Sequence, residues 1–214
     1  MSQFLIDSME DARRRTLTLI DGLDAAQLTG PRLPIVNPLR WEIGHTAYFY
    51  EYWILRQHLG EAPIFARADA LYDSISIAHD TRWDLPLPDL AATLDYMREV
   101  QERVCRHLEQ DPPDPQRDYL TQYAVFHEDM HTEAFTYTRQ TLGYPAPELE
   151  PRQAQSDVGG LPGDAQIPGG RFLLGAAPDS GFVFDNEKWG HVRDVEPFLI
   201  ARAAVSNGEF AAFV

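Results

Sequence analysis

Apolar side chains recur at helical spacing through four stretches of the first 150 residues, and in short strand-like runs only afterwards. Phe4, Leu5, Met9, Leu17, Ile20 and Leu23 share one face of a 3.6-residue period, which predicts a first helix ending before Gly30-Pro31. A second helix is expected from Asn37, whose side chain suits an N-cap, through Pro38, where a missing N–H costs nothing, to about Leu59 with Gly60 as its stop. An irregular stretch follows from Tyr72 to Pro88. Asp89 then caps a third helix with Leu90, Leu94, Met97, Val104 and Leu108 along one face, and a fourth runs from about Pro115 to Leu142, stopped by Gly143. Four long helices with polar outer faces and loops between them predict a four-helix bundle.

The pattern changes near Pro151. Residues 1–150 contain five glycines and the remaining 64 contain nine. Arg171-Phe-Leu-Leu-Gly175 and Pro197-Phe-Leu-Ile-Ala201 are apolar runs between turn-forming residues, as strands are, and Ser206-Asn-Gly-Glu209 has the spacing of a capping box that starts a helix at about Asn207. The expected architecture is mainly α, with a bundle over residues 1–148, a linker over 149–166 and the opening of an α+β domain over 167–214. Two or three short strands and a helix interrupted in its second turn do not bury a core of their own. The rest of a second domain is therefore expected beyond Val214.

Composition narrows the chemistry. The 214 residues carry 18 basic and 33 acidic side chains, a formal charge of −15, and 25 of the acids lie in residues 1–150. That charge repels phosphate backbones and anionic membrane surfaces, so neither nucleic acid nor membrane is expected as a partner. No stretch approaches the ~20 apolar residues of a membrane span, and the acidic N-terminus is unlike a secretory signal, so a cytoplasmic location is expected. A single cysteine, Cys105, excludes an internal disulfide and a thiolate metal cluster. Any metal must be held by nitrogen and oxygen.

Seven histidines supply the nitrogen. His127 and His131, four apart on the fourth predicted helix, project from one face. Leu120, Tyr123, Phe126, Met130, Ala134 and Phe135 suggest that this face points inward. Two buried imidazoles need partners, and a divalent metal supplies both at once; carbonyl partners or solvation near a helix end are the alternatives. His127-Glu-Asp-Met-His131 also matches H-E-x-x-H, the zinc-peptidase helix with glutamate as base, but the extended pattern fails at Ala134 and Tyr137. His45 is the candidate third ligand, with Gly44 beside it permitting close approach and Trp41, Phe49 and Trp53 marking an inward face. Glu51 and Glu133 are candidate acceptors for imidazole N–H groups. Three imidazoles without a carboxylate leave open metal positions and suit zinc, iron or another late first-row metal. His58 and His107, near helix ends among polar residues, are expected to be solvated. His79 and Arg82 lie in the irregular stretch, where Arg82 could fix a substrate carboxylate or pair with Asp80 or Asp84 at the surface.

In order along nearly the whole chain, Asn37-Pro-Leu-Arg-Trp-Glu-Ile-Gly-His45, Leu71-Tyr-Asp73, His127-Glu-Asp-Met-His131-Thr-Glu133, Ile167-Pro-Gly-Gly-Arg-Phe-Leu-Leu-Gly175, Asp185-Asn-Glu-Lys-Trp-Gly-His191 and Val205-Ser-Asn-Gly-Glu-Phe-Ala-Ala-Phe213 resemble the ergothioneine-type sulfoxide synthases. The related selenoneine synthases share the pattern. The resemblance implies a DinB-like four-helix bundle followed by a domain like the formylglycine-generating enzyme, of C-type-lectin-like α+β fold. It implies non-haem Fe(II) held by His45, His127 and His131. The implied reaction uses O₂ to join a thiol or selenosugar donor to C2 of the imidazole of Nα-trimethylhistidine. Members that use γ-glutamylcysteine hold its carboxylates with two arginines after the Leu-Tyr-Asp motif. The matching positions here are His79 and Arg82, which are thus the implied substrate-binding pair, and a donor such as cysteine or a selenosugar is expected instead. The family's catalytic tyrosine and most trimethylhistidine contacts lie beyond residue 214, so this chain alone is expected to turn over weakly or not at all. Two other readings stay open: a DinB-like metal-dependent thiol transferase working without oxygen, and a metal-binding fragment without turnover.

Overall fold

Capping side chains set where the long helices begin. The computed structural model describes residues 2–149 and 162–214, and the chain divides into two compact units, Met1–Leu149 and Glu150–Val214. In the first unit α1 spans Ser2–Ile20, α2 Ala25–Thr29, α3 Leu39–Tyr50, α4 Ala68–Tyr72, α5 Leu90–Gln110 and α6 Pro115–Thr141. Asp89 accepts from the Ala92 N–H to open α5, and Asp114 accepts from the Gln116 and Arg117 N–H groups to open α6, with Pro115 in its first turn.

Two boundaries and one helical period differ from those expected. Helix α1 stops at Ile20, and a capping box between Asp24 and Gln27 starts the separate short α2. The N-cap of α3 is Pro38, so Asn37 sits one position too early to cap and its side chain bonds elsewhere. Beyond Tyr50 the same helix continues to His58 as a π-helical segment, in which the Leu59 N–H reaches back to the Ile54 carbonyl. That change of period alters the buried face. Ile54 and Leu55 are buried while Trp53, expected to face inward, is 38% exposed.

The bundle is closed by α1 packing on α5 and α6, and α3 packing on the same two helices. Its core includes Leu5, Met9, Ile43, Ala47, Met97, Val100, Val104 and Phe135. Apart from the small Ala47, each such side chain contributes about 1.5–3 kcal/mol by leaving water, against about 1 kcal/mol for a cap, so packing rather than capping holds the bundle together. Helix α3 is buried on nearly every side, from Trp41 through Tyr48, and therefore carries the polar Glu42, His45 and Thr46 into the interior. The guanidinium of buried Arg139 ties the end of α6 to the free carbonyl of Leu19 at the end of α1, at 2.7 Å.

The second unit contains two antiparallel strand pairs. Strand β1 (Asp164–Ile167) pairs with β4 (Phe198–Ala201), Asp164 opposite Ala201, and β2 (Gly170–Leu174) pairs with β3 (His191–Val195), Gly170 opposite Val195. The helix α7 (Asn207–Phe213) starts at the expected capping box of Ser206 and Glu209. Val183 is the buried hydrophobic residue of this unit among the described residues. Most of the stretch expected as linker lies outside the described residues, and Asp164–Gln166 of it belong to β1. No helix among the described residues is long and apolar enough to cross a membrane.

Candidate metal centre

His45 on α3 and His127 and His131 on α6 meet inside the bundle, with one ring nitrogen from each lying within 4.8 Å of the others. Ring centroids are 5.0 Å apart for His45 with each partner and 4.7 Å for His127 with His131, all edge to face. The i, i+4 spacing on α6 places the last two on one side of the helix. Glu128, one residue round, points to the other side and is fully buried against α1. It accepts from Arg13 Nε at 2.9 Å and from the Thr16 hydroxyl at 2.9 Å. The H-E-x-x-H match is thus a coincidence of spacing, because the glutamate faces away from the histidines.

Aromatic packing and one backbone carbonyl fix the rings. Trp41 stacks on His45 at 4.6 Å, and Phe49 stacks on His127 at 3.7 Å. The last carbonyls of a helix have no partner within it, and at the end of α4 two of them are used here. The Trp41 indole N–H donates to the Leu71 carbonyl at 2.7 Å, and Nδ1 of His45 donates to the Tyr72 carbonyl at 2.8 Å. A carbonyl only accepts, so the His45 proton sits on Nδ1 and the Nε2 lone pair is free. Gly44 serves this arrangement: the ring of Tyr72, not a ligand, occupies the space beside it.

Burial disfavours charge on two of the imidazoles, His45 and His127. Burial, followed by the neighbouring His131, pushes the His45 pKa down to about 3; Arg82 adds to this, while the Tyr72 carbonyl and Asp73 oppose it. Burial, then His131 and His45, holds His127 well below the usual histidine value. Neutral imidazoles offer lone pairs without first losing a proton. Nδ1 of His127 and Nδ1 of His131 are buried without a hydrogen-bond partner, so each ring has a polar atom that a cation at the cluster, or an outer acceptor for a ring holding one through its other nitrogen, would satisfy. Three imidazole nitrogens with no carboxylate among them fit a late first-row divalent metal such as Fe(II).

The other predicted residues are placed as follows. Arg82 lies with its guanidinium 3.9 Å over the Trp41 ring and donates to the Asn37 side chain at 2.8 Å; Asp84 pairs instead with Arg32. His79, in the 3₁₀ segment His79–Asp84, has Nε2 2.7 Å from the Val36 carbonyl. Neither expected acceptor serves the histidines. Glu51 is taken by the Ile64 N–H and the Tyr96 hydroxyl, and Glu133 is exposed. The acid that does approach is Glu42, 1% exposed, with Oε2 3.8 Å from His131 Nδ1. Its signal was in the sequence: Glu42 stands one helical turn before His45 on a helix expected to face inward. His58 and His107 are paired rather than simply solvated, with Asp114 and with Glu61 and Asp111 respectively, all at 2.6 Å.

Comparison with known proteins places this geometry. The chain is 29% identical over 221 residues to hercynine oxygenase of Mycolicibacterium smegmatis, covering 98% of this chain and 50% of that protein. It is 32% identical over 211 residues to hercynine oxygenase of Mycolicibacterium thermoresistibile, covering 95% and 46%. The C-terminal part is similar to the formylglycine-generating enzyme of Thermomonospora curvata, 46% identical over 66 residues, or 30% of this chain and 20% of that protein. The chain spans about half the length of the hercynine oxygenases it matches. Residues 8–135, more than half of the chain and including all three clustered histidines, match the DinB superfamily model, and the chain belongs to that superfamily.

Proposed function

We propose that this chain carries the metal-binding part of a non-haem Fe(II), O₂-dependent enzyme that forms a C–S or C–Se bond at C2 of the imidazole of Nα-trimethylhistidine, with His45, His127 and His131 as the iron ligands. The observation that carries the reading is the cluster of three imidazoles, one buried and two partly buried, each with a ring nitrogen within 4.8 Å of the others, in a chain similar along nearly all its length to hercynine oxygenases. Iron at that cluster would offer open coordination positions at which a chalcogen donor, the imidazole and O₂ are brought together. In the sulfur case the thiol hydrogen and the C2 hydrogen leave with one oxygen atom as water, the other oxygen ends on sulfur, and a C–S bond forms.

The chain's own residues orient. The Tyr72 carbonyl sets the His45 tautomer, and the Trp41 and Phe49 rings fix the planes of His45 and His127. Arg82, with His79 beside it in the same segment, is the group we assign to a donor carboxylate, since a guanidinium binds a carboxylate through two parallel hydrogen bonds. One arginine in this role favours a donor with one carboxylate to be held, or a selenosugar with none.

Anaerobic Fe(II) reconstitution followed by metal analysis tests the ligand set. The parent chain should take up iron and a His127→Ala, His131→Ala double variant should not; unchanged iron content in the variant would overturn the assignment. Oxygen consumption by the full-length gene product, with trimethylhistidine and cysteine or a selenosugar, tests the reaction. A DinB-like thiol transferase, which the superfamily match equally accommodates, would form product without consuming oxygen. An inert metal-binding fragment would bind iron and turn nothing over.

A further inference from the structure

Two buried polar atoms near the histidine cluster lack partners and face each other. Oε2 of Glu42 makes no hydrogen bond, Nδ1 of His131 makes none, and they are 3.8 Å apart, too far for a bond yet with nothing else assigned to either. The other carboxylate oxygen is held: Asn37 Nδ2 donates to Oε1 at 2.7 Å, and Asn37 Oδ1 accepts from Arg82 Nη1 at 2.8 Å. Arg82 in turn lies on Trp41, whose ring stacks on His45. A chain of side chains therefore runs from Glu42 through Asn37, Arg82 and Trp41 to a second histidine of the cluster. Glu42 also lies in the first turn of α3, where the helix dipole favours a negative charge, but that alone leaves Oε2 unused.

We infer that Glu42 is the outer partner of His131, accepting a hydrogen bond from its Nδ1–H when Nε2 of that ring binds a metal, and that Asn37 and Arg82 hold Glu42 in place for it. The inference rests on the ligand reading above. An imidazole that gives one nitrogen to a metal carries its proton on the other, and a buried N–H without an acceptor is destabilising because it has lost its bond to water. Closing the gap by about 1 Å makes a charge-assisted bond, which fixes the ring plane and raises the basicity of the ligating nitrogen. Glu42, Asn37 and Arg82 are positioning residues in this scheme. Asn37, expected to cap a helix, instead bridges the two charged groups.

Two measurements on the full 214-residue chain test it. In the Zn(II)-loaded parent, nitrogen-resolved NMR of the imidazoles should show the His131 Nδ1 proton protected from exchange with water; a His131 Nδ1 proton that exchanges freely would overturn the inference even if no variant folds. In Co(II) titrations Glu42→Gln should weaken binding about 10–100-fold and shift the visible cobalt spectrum, because one amide oxygen cannot serve both Asn37 and His131. Unchanged Co(II) affinity and spectrum in Glu42→Gln, beside a large loss in His131→Ala, would overturn the role of Glu42 and leave the ligand set standing. Parent-like binding in both variants would overturn the ligand set itself.

Discussion

The ring of Tyr72 occupies the place where a side chain at position 44 would begin: a Cβ built on Gly44 would lie 2.2 Å from both Cε1 and Cζ of that ring. Alanine ordinarily gains about 1 kcal/mol over glycine inside a helix. Here the fully buried Tyr72 ring fills the space the new methyl needs, so overpacking dominates. Gly44→Ala should cost a net amount of about 1–3 kcal/mol in urea unfolding and should weaken metal binding with it, since the Tyr72 carbonyl holds His45. A variant with parent stability and parent metal affinity would break that link.

Glu128 should matter to the fold and not to the metal. Removing it by Glu128→Ala leaves Arg13 buried without its carboxylate, at a cost of about 3–5 kcal/mol. Glu128→Gln, the milder change, should remain folded and bind Co(II) as the parent does. Lost Co(II) affinity at unchanged stability would assign Glu128 to the histidine cluster instead of to α1.

The cluster of His107, Glu61 and Asp111 gives a pH dependence whose sign follows from its partners. Burial opposes charge on His107, but hydrogen bonds to Asp111 and Glu61 outweigh it and raise its pKa above 6.5. Burial likewise opposes charge on Glu61, and its hydrogen bonds with His107 and Arg103 overcome that to hold its pKa below 4.5. A raised histidine stabilises fully below 6.5 and ceases to as pH climbs through its folded value. A depressed glutamate stabilises fully above 4.5 and ceases to as pH falls through its folded value. The pair is therefore at full strength between those limits, and denaturant unfolding at pH 6 and pH 9 should show a loss of about 1 kcal/mol or less that His107→Gln abolishes. An equal loss in the variant would place the titrating group elsewhere.

Cys105 should be a poor nucleophile. Burial, reinforced by Glu10 and Glu109, pushes its thiol up to about 11. At pH 8 roughly one thiol in a thousand is ionised, so alkylation followed by mass spectrometry should run roughly 100-fold slower in the native chain than in urea. Equal rates would show that the site opens readily.

The long helices were legible because each has a local signature that tertiary packing did not override: Asp89 before α5, Pro115 inside the first turn of α6, and an apolar stripe on α5 that ends up buried at Met97, Val104 and Leu108. The meeting of His45 with His127 and His131 was legible for a similar reason, since α6 supplies two of them at fixed spacing and the motif order supplies the third. What failed was the rest of what contacts across the bundle set. Glu51 and Glu133 were chosen for closeness to histidines in sequence, whereas the acid that approaches His131 comes from α3. Trp53 was read inward on a constant period that the π-helical segment breaks. Short α2 and α4 carry too few residues for a pattern, and strands β1 and β3, with Asp164, Gln166, His191, Arg193 and Asp194, are too polar to announce themselves.

The groups that orient His45 and Trp41 are main-chain carbonyls at the end of a five-residue helix. Replacing the side chain of Leu71 or Tyr72 leaves those acceptors intact as long as α4 keeps its position, so a conventional alanine scan would report on packing there and stay blind to the hydrogen bond that sets the tautomer. Exchanging the amide that follows Tyr72 for an ester, which weakens that carbonyl as an acceptor without touching any side chain, would act on the His45 ring directly. The part of the site least tolerant of change is thus written in backbone, and it shows in the amino-acid sequence only through the glycine that makes room for it.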